Sequence, residues 1–149
     1  MKLEDAIRQP EFRSQEHKLM VNLIYTVSRL LDEISEVTQR YGITRQQYNV
    51  LRILRGQSPG AASLNLVRER MLDKMSDCSR LVDRLESKGL ISKSECARDK
   101  RSVDITITEQ GLALLDTMES DVVCVEKALN RLSEPEKAEF NRLLDLIRS

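Results

Sequence analysis

The chain has 149 residues, 40% of them hydrophobic and 32% charged, and Lys+Arg and Asp+Glu both total 24, so the net charge is zero. This length suits one domain with helical extensions and a sizeable core, and the balanced charge rules out a uniformly basic coat. No apolar run approaches membrane-spanning length, the start MKLEDAIRQP lacks a signal-peptide apolar segment, and Cys78, Cys96 and Cys124 fit neither a disulfide framework nor a zinc knuckle, so a cytoplasmic protein with no structural metal, cofactor or membrane partner is expected.

The first predicted element spans residues 14–40. Met20, Leu23, Ile24, Val27, Leu30, Leu31, Ile34 and Val37 recur at three- and four-residue steps, and Gly42 closes the run. Such a helix approaches about 40 Å, longer than a compact core of this size needs, and helices of this kind often reach into a partner chain. Thr44-Arg45-Gln46-Gln47 reads as a capping box opening a second helix that stops near Gly56. QSPGAAS is a loop, and Ser63 can cap a short helix, SLNLVRERM.

The next helix is expected from Lys74 to Lys88, with Met75, Cys78, Leu81, Val82 and Leu85 on its apolar side; Gly89 followed by Leu90 ends it. LISKSE then pairs with SVDITIT as a hairpin. Val103, Ile105 and Ile107 alternate with Asp104, Thr106 and Thr108, the pattern of a half-buried strand. A long helix follows from Gly111 through Leu132 at near-heptad spacing. Ser133-Glu134-Pro135-Glu136, a second capping box, launches the last helix through Phe140, Leu143, Leu144 and Ile147. The fold class is mainly α: a winged helix-turn-helix with about six helices and a two-stranded β wing, flanked by long terminal helices. The boundaries are 43–110 for the winged helix and 1–42 and 111–149 for the flanking helices.

Charge is unevenly placed. Arg68 to Arg101 holds ten Lys/Arg against seven Asp/Glu, a local excess of three that the rest of the chain offsets. The polar side of the 74–88 helix offers Ser76, Asp77, Ser79, Arg80, Asp83 and Arg84. In a helix-turn-helix the N-terminal side chains of the second helix reach base edges in the major groove. An ordinary solvated helix face would look similar, and Asp77 beside phosphates argues against contact unless it pairs with a cation. The hairpin tip, Arg98-Asp99-Lys100-Arg101, can reach phosphates or a narrow minor groove, with Asp99 as a brace that holds an arginine by a charge-assisted pair.

The stretch SRLVDRLESKGLISKSECARDKRSVDITITEQG (residues 79–111), the ITRQQYNVLRIL helix and the closing LSEPEKAEFNRLLDLI resemble the MarR family of bacterial transcriptional regulators, over nearly the whole chain. The first carries a family-like recognition helix, a Gly-Leu-Ile turn, the wing signature Asp99-Lys100-Arg101 and the strand that follows. It departs at Ile107, where the family usually has Leu, and at Ser92-Lys93, where an Arg is common. The resemblance implies a homodimer interlocked through its terminal helices, binding double-stranded DNA at a pseudo-palindromic operator, most often as a repressor. By matching position, Ser76, Asp77, Ser79 and Arg80 face the major groove and Arg101 the minor groove. Asp99 supports the wing, Arg84, Arg98 and Lys100 add backbone or bracing contacts, and Lys93 stands in for the missing Arg.

The resemblance also implies release by a small phenolic or aromatic acid in a crevice between the dimerisation helices and the DNA-binding part; His17, Met20, Tyr25, Arg29, Tyr48 and Arg52 are the lining residues to expect. Each has a plainer role as a core or surface residue. Peroxide sensing through an early cysteine does not transfer, because no Cys precedes Cys78. Cys96, beside Arg98, is the thiol best placed for redox chemistry, whereas Cys78 falls on a packing face and Cys124 is expected to be buried. Two other readings stand beside the regulator. A winged-helix dimer serving only protein contacts is compatible with zero net charge. An enzyme has no support, because the sequence offers no nucleophile–base pairing, phosphate-binding glycine loop or metal cluster.

Overall fold

Local capping chemistry sets most of the helix boundaries. The computed structural model describes all 149 residues, as seven α-helices, one 3-10 helix and three short strands. The chain divides into two compact units, Met1–Arg45 and Gln46–Ser149.

The first unit contains α1 (Leu3–Ile7) and α2 (Gln15–Arg40). The Ser14 hydroxyl accepts the His17 N–H at 3.2 Å and starts α2 at the expected place. Gly42, at φ +74°, turns the chain out of it. The sequence pattern gives no sign of the five-residue α1. Lys18 pairs with Glu4 at 2.5 Å and bridges α1 to α2. Along α2, Leu19, Met20, Ile24 and Val27 are about half exposed, so this unit leaves much of its apolar stripe unpaired.

The second unit opens with α3 (Arg45–Gln57), β1 (Ala62–Ser63), α4 (Leu64–Arg70) and α5 (Cys78–Ser87). It continues with β2 (Ile91–Glu95), β3 (Val103–Ile107), α6 (Glu109–Glu126), the 3-10 turn Lys127–Arg131 and α7 (Glu134–Arg148). Ser63 caps α4 through the Leu66 N–H at 3.1 Å. β2 and β3 pair antiparallel with Ile91 opposite Ile107 and Glu95 opposite Val103, as the hairpin predicts. The sheet has three strands, not the expected two: β1 lies on the other side of β3, Ala62 opposite Ile105. Two residues carry no alternation to read, so only the pairing reveals it. Central placement buries Ile105, while Val103 near the wing tip stays exposed, so the apolar alternation buries fully only at its middle. Val50, Leu51 and Leu54 of α3, Val67 of α4, Cys78, Val82 and Leu85 of α5, Ile91, Ile105, and Leu115 and Met118 of α6 form the core.

Two helices differ from the sequence reading. The recognition helix begins at Cys78, not Lys74, so Met75, Ser76 and Asp77 precede it, and Met75, expected on the packing side, is exposed instead. Short polar residues here make local bonds that compete with a helical turn: Asp73 accepts the Met75 N–H at 3.0 Å, and Asp77 caps α5 through the Arg80 N–H at 3.1 Å. The expected 111–132 helix ends at Glu126 and tightens into 3-10. Ser133 takes an extended backbone to start α7, and its N–H donates to the Glu136 carboxylate at 2.8 Å, so the preceding helix must stop. Along the final helical segment Leu129, Phe140, Leu143, Leu146 and Ile147 are 41–62% exposed. Leu132, Pro135, Glu136, Glu139, Phe140 and Leu143 line an open groove of about 350 Å³. No helix is long and apolar enough to cross a membrane.

Candidate nucleic-acid interface

An amphipathic α5 divides its residues cleanly. Cys78, Val82 and Leu85 face the core, and Ser79, Arg80, Asp83 and Arg84 are exposed. Arg80 lies 3.9 Å from Asp77 with its side chain 70% exposed, so the guanidinium is free to bond elsewhere. Asp77 is committed to capping α5, which explains a carboxylate at the head of a recognition helix better than a base contact does. The Ser76 hydroxyl oxygen is buried and has no partner, so it does not lie at the surface where the sequence reading placed it.

The turn before α5 is held from both sides. Asn49 of α3 accepts the Leu72 N–H at 2.9 Å, Asp73 accepts the Met75 N–H, and the Lys74 ammonium reaches the Glu69 carbonyl at 2.5 Å. Asn49 and Asp73 are positioning residues that the sequence reading does not include. The tendency of Asp to accept the backbone N–H two residues on is the sequence signal for Asp73; nothing local marks Asn49.

Lys93 is engaged within the protein. Its ammonium sits 2.7 Å from Asp83 and 2.9 Å from Glu86, which tethers β2 to the exposed side of α5. Both carboxylates, Asp83 first, raise its pKa. The residue expected to replace a phosphate-binding arginine is therefore a strut between the recognition helix and the wing.

At the wing tip Arg98, Asp99, Lys100 and Arg101 are all exposed. Asp99 is a brace, but by a different bond from the one expected. Its carboxylate accepts the Arg101 backbone N–H at 2.9 Å and the Ser102 hydroxyl at 3.2 Å, while its carbonyl accepts the Ser102 N–H at 2.9 Å. The arginine side chains are left unpaired by Asp99. Cys96 is a half-buried free thiol whose N–H donates to the Ser102 carbonyl; Cys78 is buried, and Cys124, expected inside, is exposed. The wing root is fixed to α6, where the Thr108 hydroxyl donates to the Gly89 carbonyl at 2.7 Å and accepts the Gly111 N–H at 3.1 Å.

The six residues expected to meet an effector fall four on α2 and two on α3. Tyr48 bonds Arg52 at 2.9 Å, and Tyr25 bonds Arg29; in each pair that bond leads the rise in the arginine's pKa. His17 packs edge-on to Phe12 with its Nδ1 buried and unpartnered, and Met20 is half exposed.

A MarR family model matches residues 41–102. An HTH-type transcriptional repressor of Mycobacterium tuberculosis is 30% identical over 129 residues, 85% of this chain and 91% of that one. The crystal structure of a MarR transcription factor from Planctomyces limnophilus matches with a TM-score of 0.70 at 30% identity, covering 91% of this chain and 99% of that one. The MepR–DNA complex of S. aureus matches with a TM-score of 0.78 at 23% identity, covering 92% and 97%.

Proposed function

The chain belongs to the MarR family and is a DNA-binding transcriptional regulator, and from that premise we propose that it is a repressor, acting as a homodimer on a pseudo-palindromic operator and released by a small aromatic acid. The observation that carries this reading is one exposed helix face, Ser79, Arg80 and Arg84, strutted by Lys93 to a wing whose cations Arg98, Lys100 and Arg101 are free. Ser79 and Arg80 meet base edges, a bidentate Arg–guanine pair being the commonest specific contact. Arg84 and Arg98 bond phosphates, and Lys100 and Arg101 enter the adjoining minor groove. Lys93, Asp99 and Asp77 position these groups without touching DNA. Repression follows the name of the M. tuberculosis relative.

The homodimer reading rests on apolar surface that each unit leaves uncovered, on α2 and on the α7 segment. A two-fold dimer places two recognition helices about one helical turn apart on the duplex. For the effector, the Tyr25–Arg29 and Tyr48–Arg52 pairs each offer a phenol ring and a guanidinium, the chemistry that holds an aromatic carboxylate; His17 and Met20 complete the set. Effector binding releases DNA by favouring the conformer that does not fit the operator.

Fluorescence anisotropy with labelled duplexes tiling the DNA upstream of the protein's own gene, at two salt concentrations, tests the core of the reading. Tight binding to one palindromic tile that weakens steeply with salt is expected, because phosphate neutralisation releases counterions. Binding that is weak and the same for every tile, and for sequences selected from random duplexes, would overturn it in favour of a protein-interaction role.

A further inference from the structure

We propose that Met75 is a specificity-determining residue that reads a thymine methyl group in the major groove. This rests on the DNA-binding reading above and adds a contact that the polar residues of α5 do not supply.

Met75 is 92% exposed and Leu72 86%, so two large apolar side chains within four residues stand almost wholly in water. A single exposed apolar residue is unremarkable. Here, however, the backbone that carries them is pinned: the Leu72 N–H bonds Asn49 and the Met75 N–H bonds Asp73. These bonds fix the backbone from which the Met75 side chain extends into solvent. The turn leads directly into the Asp77 cap of α5, the end of a recognition helix that approaches base edges. The charges nearest in sequence balance, Asp73 and Asp77 against Lys74 and Arg80, so it is the place of Met75, two residues before the cap of α5, that brings it to base edges when the helix enters the major groove.

A thioether side chain has almost nothing to offer a base by hydrogen bonding. Among the major-groove edges only thymine presents an apolar group, its C5 methyl. Methionine is also flexible enough to settle against that methyl without demanding one geometry. The contact therefore selects thymine over cytosine at one step of each half-site through burial, while Arg80 selects guanine through hydrogen bonds.

The test uses the full chain and the duplex it selects from a random pool. Each thymine is replaced in turn by deoxyuridine, which lacks only the C5 methyl, and affinity is measured for the wild type and for Met75→Ala. The expected result is one thymine per half-site whose demethylation weakens wild-type binding about fourfold, the cost of unburying one methyl group, and leaves Met75→Ala unaffected. Circular dichroism confirms that the variant is folded, as a 92% exposed side chain predicts. If every deoxyuridine is neutral, or if the wild type and Met75→Ala lose affinity alike, Met75 does not read a methyl and the inference falls while DNA binding stands. Failure to select any sequence would remove both.

Discussion

Gly111→Ala should destabilise the protein even though it replaces glycine in a helix. A Cβ at this position would lie 2.2 Å from the Leu90 carbonyl oxygen and 2.7 Å from Ile107 Cγ1. That oxygen cannot retreat freely, because it accepts the Thr108 N–H at 3.1 Å and the Leu90 N–H is held by the Leu85 carbonyl. Forcing one methyl group into such a site costs about 1–3 kcal/mol, and contact with backbone puts this case near the top. Alanine returns at most about 1 kcal/mol of helix propensity, and less here because Gly111 lies in the first turn of α6. The net loss is about 2 kcal/mol, a fall in Tm of about 4–8 °C for a chain of this length. Thermal unfolding at one fixed protein concentration measures it, with Gly56→Ala as the paired control. Gly56 is also helical but has nothing within 4 Å of its Cβ position, so that variant should be neutral or more stable. A Gly111→Ala protein as stable as the wild type would mean that the wing root and α6 do not pack this closely. Because Thr108 and Gly111 join that root to α6, operator affinity should fall as well.

The other expectations concern the interface, the dimer and pH. Arg101→Ala should weaken operator binding and lower the salt slope by about 0.9 for each phosphate that Arg101 neutralises, with no change in oligomeric state by sedimentation; unchanged affinity at physiological salt removes Arg101 from the interface. Phe140→Asp, in the exposed face of α7, should shift the protein to monomer in analytical ultracentrifugation and abolish tight operator binding, and a variant that remains dimeric would contradict the assignment of this face. The Ser133 backbone N–H, followed by its hydroxyl, holds the Glu136 carboxyl below its ordinary 4.5. A depressed folded-state pKa means that the stabilisation is present above about pH 4.5 and is lost as pH falls through the lower folded value. The stability gap between wild type and Glu136→Gln in urea titrations should therefore be larger at pH 6 than at pH 3; a gap that does not change with pH would refute the capping role.

Local chemistry made much of this protein legible in its sequence. Ser14, Ser63 and Ser133 start helices because a side-chain oxygen reaches only its own next turn, and Gly89, at φ +72°, stops α5 because the left-handed conformation favours glycine. The period-two run at Val103–Ile107 and the order of helices around it placed the winged helix, and the Asp99-Lys100-Arg101 tip located the exposed cations. What the tertiary structure alone decided lies between segments distant in sequence. Ala62–Ser63 becomes a strand only because β3 offers an open edge. Lys93 becomes a strut only because folding brings Asp83 and Glu86 within 3 Å of its ammonium. The recognition helix starts at Cys78 because Asp73 and Asp77 bond the turn locally while Asn49, more than twenty residues away, holds its backbone. A side chain's partner within four residues follows from chain geometry; a partner further off depends on which surfaces the core brings together.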